Sequence, residues 1–310
     1  MANIQRSEFK HFTWTNITDF DDATAVKLQE EYRFHPLDIA DCLSQSQRSK
    51  LDAYDKYTFL VILFPLYNYE TREIQAVELD IFISTKYIIT ISDGTLKIFN
   101  DFFDLLRLHT DLRNQYEEKS PEKLLYEMLH RLFLYVFPIV DHLYMDCNKI
   151  EQAIFSGKEK RMISEILLIR RNITDLRKIM QVHKNVVQKA IITLKDAPLY
   201  MMKKTDAYYE SLVDTTKEIW VNLENLRERI EALQQTNESQ ISFKLSDIMR
   251  ILTIISVITF PVTLLATLFG MNTVRSMPFI ESDLGFWYIL GIMAVIITTM
   301  LTIFRRKGWM

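Results

Sequence analysis

Two segments near the C-terminus contain no charged residue, and they constrain the fold more than any other feature of this sequence. They run from Ile251 to Met271 and from Leu284 to Phe304, and each is 21 residues long. A helix needs about 20 apolar residues to cross the hydrocarbon core of a bilayer. A buried helix of this length in a soluble protein normally carries charge on one face. The sequence therefore predicts two transmembrane helices joined by a 12-residue connection, 272–283.

The charges that flank these segments predict their orientation. Bases lie on the sides away from the connection: Lys244 and Arg250 before the first span, and Arg305, Arg306 and Lys307 after the second. The connection holds one base, Arg275, and two acids. The positive-inside rule then places both termini in the cytosol and the connection outside. We expect a multi-pass plasma-membrane protein, with the lipid bilayer as a partner and residues 305–310 as a basic cytosolic tail.

Composition describes the remainder of the chain as an ordinary folded protein. Hydrophobic residues make up 48% and charged residues 25%, and the net charge is −3. The N-terminal residues contain no apolar run typical of a signal peptide, and two lone cysteines, Cys42 and Cys147, fit a reducing compartment. No phosphate-binding Gly-rich loop and no catalytic Ser/His/Asp arrangement can be singled out. We therefore expect no enzyme and no organic cofactor, and we expect no nucleic-acid partner.

The first hundred residues predict a mixed α/β fold. Residues 58–67, 76–84 and 87–92 are rich in β-branched and aromatic side chains, which favours strands. Thr85 and Lys86 separate the last two and suit a hairpin. The sequence HPLDIADCL, His35 to Leu43, is typical of a short helix with proline in its first turn. We expect an α+β cytosolic domain over residues 1–197, with a sheet and helical layers.

Helical periodicity begins after Leu96. One helix is predicted from Pro121 to Phe155 and a second from about Arg161 to Lys195, and together they form an antiparallel hairpin. Pro138 should bend the first helix or end it locally.

A single very long helix is predicted after Pro198. Its apolar residues repeat at helical spacing without a breaker until Pro261, which already lies in the first apolar segment. Residues 198–250 would form a stalk that continues into the span 251–271. Such a helix is on the order of 100 Å long. It must pack against copies of itself or other helices to be stable in water.

One side of the first span is more polar than the other. A projection at about 100° per residue groups these residues on it: Met249, Leu252, Ser256, Thr259, Phe260, Thr263, Thr267 and Gly270. Hydroxyl side chains in a span often bond to their own helix or join helices together. The line of hydroxyls also fits the wall of a polar channel, and one hairpin cannot enclose a pore. That interpretation requires an oligomer with the second span, 284–304, on the lipid side and Gly285, Trp287 and Tyr288 at the outer boundary.

Gly270, Met271 and Asn272 stand at the expected outer end of the first of the two C-terminal spans. Gly-Met-Asn in this place is the mark of the CorA family of magnesium channels, and the sequence resembles that family. The resemblance covers essentially the whole chain. It includes WTNIT (14–18), FHPLDIADCL (34–43), FISTKYIITI (82–91), MRILTIISVITFPVTLLATLFGMN (249–272) and Met277-Pro278.

The resemblance implies a funnel-shaped homopentamer that takes up Mg²⁺, with Co²⁺ or Ni²⁺ as further cargo, along the electrochemical gradient. Gly270, Met271 and Asn272 would form the selectivity filter, with Gly270 letting the backbone turn closely at the mouth. A ring of neutral Asn272 carboxamides would hold a hydrated Mg²⁺ loosely enough to release it. Thr263 would form a second polar ring, and Met249 and Leu252 a hydrophobic narrow stretch that gates by dewetting.

The resemblance also implies closure by intracellular Mg²⁺, so that Mg²⁺ would be both transported and regulatory. Asp41 stands where the family has a sensing carboxylate, whereas its partner on the neighbouring long helix aligns with Ser211. Glu210 and Asp214 flank that position and could supply the charge, although a helix turns them to different sides. Asp38 is an acid nearer to Asp41 in the sequence. Asp41 could equally be an ordinary solvated carboxylate.

The outer connection leaves the preferred ion open. The first charge after the filter is Arg275 instead of an acid, so cation capture would depend on Glu281 and Asp283 or on the Asn272 ring alone. The main cargo could be Zn²⁺ or another divalent ion. In a third hypothesis, the membrane hairpin only anchors a cytosolic scaffold. The six histidines show no i, i+4 pairing that would indicate a zinc site.

Overall fold

A computed structural model describes residues 2–44, 48–117, 120–196, 206–271, 278–279 and 282–309. The chain forms two compact units, Met1–Gln234 and Gln235–Met310, and each is described by itself.

The first unit contains a six-stranded mixed sheet. Its strands follow the order β1-β2-β6-β5-β4-β3, and only the pairing of β2 with β6 is parallel. The predicted hairpin is confirmed, because β5 and β6 pair antiparallel and the Ser84 N–H donates to the Tyr87 carbonyl at 2.9 Å. The strands are β1 Asn3–Glu8, β2 Thr13–Thr18, β3 Lys50–Ala53, β4 Thr58–Asn68, β5 Glu73–Ile83 and β6 Tyr87–Ser92.

Helices cover both faces of this sheet. Those of the first unit are α1 Asp22–Tyr32, α2 Pro36–Leu43, α3 Lys97–Leu108, α4 Thr110–Glu117, α5 Pro121–Phe155, α6 Glu159–Met180 and α7 His183–Asp196. Strand β4 shows the two layers, because Leu60 and Ile62 belong to the core on one face while Phe59 and Val61 belong to the core on the other. The first core contains residues of α3, α5 and α6, and the second contains residues of α1 and α2. Alternate burial of this kind is expected of a strand covered on both faces.

Helix α5 continues through Pro138, so the expected local end is wrong and the expected bend stays a prediction. Proline removes the hydrogen bond to the carbonyl four residues earlier, and that residue, Leu134, is exposed, so water can solvate the carbonyl. The predicted second helix is two helices, α6 and α7, with a turn at residues 181–182. No breaker residue marks this turn, and packing decides it: His183 is buried beside Phe64, and α7 packs against β3.

The long helix is confirmed as α8, Asp206–Phe269, with 64 residues. Its beginning belongs to the first unit, where these side chains enter the core: Tyr209, Leu212, Ile219, Leu223, Leu226 and Ile230. The second unit contains the remainder of α8 and the last helix, α9, Gly285–Arg306. Both helices are long and apolar enough to cross a membrane. The predicted fold class is therefore confirmed.

Candidate functional site

The structure leaves the whole predicted polar stripe of α8 exposed. These eight residues are Met249, Leu252, Ser256, Thr259, Phe260, Thr263, Thr267 and Gly270. Phe260 is the most exposed large side chain among them, at 71%. Within the described residues of the second unit, all eight positions of this stripe are exposed.

A different face of α8 is shielded within the second unit. It contains Ile254, Ile258, Pro261, Val262, Leu265 and Phe269, of which Ile254 is buried and the others are partly buried. At about 100° per residue, this face is centred roughly 160° from the polar stripe. Helix α9 has a partly shielded face with the same spacing, formed by Ile289, Met293, Ile296, Ile297, Met300 and Phe304. Helix α8 therefore has an apolar face that is shielded within the second unit and a hydroxyl-bearing face that is exposed.

Two of the hydroxyl groups bond to their own helix. Ser256 Oγ donates to the Leu252 carbonyl and Thr267 Oγ1 to the Leu264 carbonyl, each at 2.9 Å. Such bonds are the ordinary role of hydroxyls in a span. Each bond uses the proton of the hydroxyl group and leaves the lone pairs of its oxygen able to accept hydrogen bonds. Acceptors are the groups to which the water shell of a cation can donate.

The C-terminal end of α8 is followed by the expected glycine. The Gly270 N–H donates to the Ala266 carbonyl at 3.0 Å, and a Cβ at this position would lie 3.1 Å from the same oxygen. Met271 follows and is exposed. Asn272, Arg275 and Glu281 lie outside the described residues.

The second span begins at a close backbone contact. Gly285 is buried, and a Cβ there would lie 2.0 Å from the Phe279 carbonyl, which excludes a larger residue. Trp287, Tyr288 and Asp283 are exposed. The described part of this boundary thus presents the aromatic side chains and the acid that the sequence placed there.

Asp38 is held inside the first unit. Its carboxylate accepts hydrogen bonds from Tyr54 Oη at 3.0 Å and Tyr57 Oη at 2.8 Å. The side chain is buried, and burial raises the pKa of Asp38 although both tyrosines act in the opposite direction. Asp38 is therefore a structural acid that fixes the start of α2.

Asp41 lies one turn further along α2 and is partly exposed. Lys50 Nζ, from β3, makes an ion pair with Asp41 Oδ2 and a second one with Asp52 Oδ2 at 3.1 Å. Sequence reasoning missed Lys50 and Asp52. Their only signal is a base and an acid on the same side of a short strand, at positions i and i+2.

The acids expected to complement Asp41 lie on the first turns of α8. Glu210 and Asp214 are one helical turn apart and both exposed, so they share a side of the helix and the expectation of different sides was wrong. Asp214 pairs with Lys217 at 2.8 Å. Ser211 Oγ donates to the Tyr208 carbonyl at 2.6 Å. Within the described residues of one chain, no three His, Cys, Asp or Glu side chains are grouped so that they could hold a metal ion.

Fold and site together define a membrane protein with two C-terminal apolar helices and an α/β unit before them. A family model described as CorA-like Mg2+ transporter protein matches residues 9–306. The chain belongs to this family. The resemblance seen in the sequence is thereby confirmed, and so is the expectation that the chain is not an enzyme, because the family consists of ion transporters.

Relatives match over nearly the full length. The putative metal ion transporter YfjQ of Bacillus subtilis is 28% identical over 303 residues, covering 96% of this chain and 89% of the relative. The cobalt/magnesium transport protein CorA of Thermotoga maritima is 25% identical over 299 residues, covering 96% and 83%. The complete structure of the CorA magnesium transporter from Methanocaldococcus jannaschii has a TM-score of 0.84 at 21% identity, covering 97% of this chain and 92% of that one.

Proposed function

We propose that this chain forms a homopentameric channel for Mg²⁺, with Co²⁺ or Ni²⁺ as further cargo, and that the exposed stripe of α8 lines the pore. The observation that carries this proposal is the position of the stripe, which faces away from the shielded side of α8. Transporters of cobalt and magnesium among the relatives support the choice of cargo. Five copies are proposed from the family resemblance.

The chemistry of the stripe suits a hydrated divalent ion. Mg²⁺ requires six oxygens in a tight octahedron and loses its water slowly. A ring of Asn272 carboxamides and rings of Thr263 and Thr267 hydroxyls offer neutral oxygens that accept from this water. Five carboxylates at one level would bind the ion too tightly for permeation, which needs sites that release it. Met249 and Leu252, both 55% exposed in one chain, would form the apolar gate.

Transport would take place in the plasma membrane with both termini in the cytosol. Residues 272–283 would form the outer loop, where Glu281 and Asp283 attract cations. Entry of a divalent ion along an inside-negative potential releases about 4.6 kcal/mol per 100 mV, twice the value for one charge. The membrane potential therefore supplies the driving force without an organic cofactor.

Intracellular Mg²⁺ would close the channel through acids of neighbouring subunits. Asp41 on α2 would act with Glu210 and Asp214 on the long helix of the next copy. The support is their accessibility, since Asp41 is partly exposed and the other two are exposed.

Ion flux into proteoliposomes tests the transport proposal. We expect Asn272→Ala to abolish Mg²⁺ uptake or to broaden its selectivity, and Thr263→Val to reduce uptake, because each removes a ring of oxygens. Thr298→Val on α9 is the matched control, since it removes an exposed hydroxyl that bonds to its own helix at 2.7 Å and lies off the stripe. Unchanged flux in Asn272→Ala would favour the hairpin as a mere anchor for a cytosolic scaffold. Faster uptake of Zn²⁺ than of Mg²⁺ in the same vesicles would favour the alternative cargo.

A further inference from the structure

Lys50 occupies the place where a regulatory cation would contact Asp41. Its ammonium group makes ion pairs with Asp41 Oδ2 and Asp52 Oδ2. The same group lies 5.3 Å from the centre of the Phe59 ring, on the same sheet. Two carboxylates and one aromatic face thus surround one lysine ammonium.

The surroundings keep this lysine charged. Burial by itself would lower the pKa of Lys50, but hydrogen bonds to Asp41 and Asp52 raise it above its ordinary value. The carboxylate of the nearby Asp38 already accepts hydrogen bonds from two tyrosines. The Lys50 ammonium and an incoming cation would therefore both bind to the carboxylates of Asp41 and Asp52. The side chains of Asp41, Lys50 and Asp52 are between 32% and 41% exposed, and ions from solution can reach them.

A regulatory Mg²⁺ therefore fits Asp41 only in competition with Lys50. Mg²⁺ binds carboxylate oxygens through one or two direct contacts and keeps several waters. Asp41 has one oxygen, Oδ2, in the lysine pair. A dication that approaches this carboxylate must displace the ammonium or tolerate a like charge within a few ångströms.

We propose that Lys50 is a tethered cation that competes with Mg²⁺ for the Asp41 carboxylate, and that Asp52 weakens this competition by drawing Lys50 towards itself. The inference rests on the proposed regulatory role of Asp41. Lys50 is a positioning residue here, since it acts on Mg²⁺ through Asp41. It sets the Mg²⁺ concentration at which the channel closes.

The two partners of Asp41 should have opposite effects when they are changed. Lys50→Gln removes the competitor, so we expect the Mg²⁺ concentration for half-closure to fall roughly two- to fivefold, the range for a partly exposed ion pair. Asp52→Asn leaves Lys50 with Asp41 alone, so this concentration should rise by about the same factor. Lys50→Arg keeps the charge and should resemble the parent chain. Lys56→Gln removes one charge from the exposed turn between β3 and β4 and controls for net charge.

Two measurements on the full-length protein distinguish the outcomes. The first is Mg²⁺ flux in proteoliposomes with Mg²⁺ varied on the cytosolic side. The second, independent of transport, is the rise of the thermal unfolding midpoint with Mg²⁺ in detergent, because a ligand of the folded state stabilises it. Opposite shifts for Lys50→Gln and Asp52→Asn in both measurements support the proposal.

Other results overturn the proposal at different levels. If Asp41→Asn removes the Mg²⁺ response while Lys50→Gln does not shift it, the competition is wrong and the regulatory site stands. If Asp41→Asn leaves the response intact in a conducting channel, the Lys50 proposal and the regulatory role of Asp41 both fail. If the parent chain shows no flux, the transport proposal fails, and the thermal shift still decides whether Lys50 opposes Mg²⁺ binding.

Discussion

His183 shows how a single residue can be kept uncharged by its surroundings. The ring is fully buried, with its centre 5.2 Å from that of Phe64 and 5.5 Å from that of Phe133. Its Nδ1 lies 3.1 Å from the Met180 sulfur. Burial lowers the pKa of His183 to about 4 from an ordinary value of 6.5. The folded chain therefore binds a proton at this ring only when the pH falls to about 4.

This lowered pKa predicts a loss of stability in acid. Well above pH 6.5 the ring is neutral in both states, and no free energy is lost. Between pH 6.5 and about 4 the unfolded chain takes up the proton first, so the folded state loses about 3 kcal/mol by pH 4. We expect His183→Leu to flatten the fall of the unfolding midpoint over this window in detergent. His109→Leu, which changes an exposed histidine, should leave the slope as in the parent, and an equal slope in both variants would contradict the prediction.

At the scale of elements, one side chain fixes α6 to the turn between β4 and β5. Asn172 is fully buried; its Nδ2 donates to the Arg72 carbonyl at 2.7 Å, and its Oδ1 accepts from the Ile74 N–H at 3.2 Å. Arg72 has a positive φ of 58°, an uncommon value for a residue other than glycine. The amide thus satisfies the Arg72 carbonyl and the Ile74 N–H, which lie on either side of Glu73, and it aligns the helix with the hairpin.

Asn172→Ala should therefore destabilise the first unit. It leaves a buried backbone donor and a backbone carbonyl without partners, which costs about 1–3 kcal/mol. Thr174→Ala is the control, because Thr174 is exposed on the same helix and bonds only to its own backbone at 2.8 Å among the contacts of the described chain. Denaturant titration of both variants measures the difference. Equal midpoints would mean that water replaces the amide without loss.

At the scale of the whole molecule, the second unit exposes a large apolar surface, which is unfavourable in water. Side chains on both α8 and α9 are more than half exposed, including Ile251, Ile255, Phe286 and Val295. Large exposed apolar surfaces mark contacts with a membrane or another protein. Lipid covers such surfaces well, whereas the hydroxyl stripe of α8 gains more from water. The proposed channel would give these two kinds of surface different surroundings, with lipid outside and water within the assembly.

Accessibility to a water-soluble thiol reagent tests this division. We expect Thr263→Cys, on the stripe, to react with a charged maleimide in proteoliposomes, because water reaches it. Ile258→Cys, on the shielded face, should not react above the background set by Cys42 and Cys147 in the parent chain. Labelling of the shielded position alone would place the polar stripe against lipid and exclude it from a pore.

Local patterns in the sequence determined several elements of this fold. The runs of β-branched and aromatic residues, the prolines and the uninterrupted apolar periodicity predicted β4 to β6, α5 from Pro121 to Phe155 and the continuous helix α8, because each pattern acts through neighbours in the chain. The uncharged runs predicted the spans for the same reason.

Only the tertiary structure decided which distant groups meet. The turn between α6 and α7 has no breaker residue, and the buried surroundings of His183 set it. The Lys50 pair with Asp41 and the Asn172 bonds to the hairpin join residues whose spacing carries no signal. Burial and charge pairing act between segments far apart in the chain, so they emerge only when the sheet and its helical layers bring those segments together.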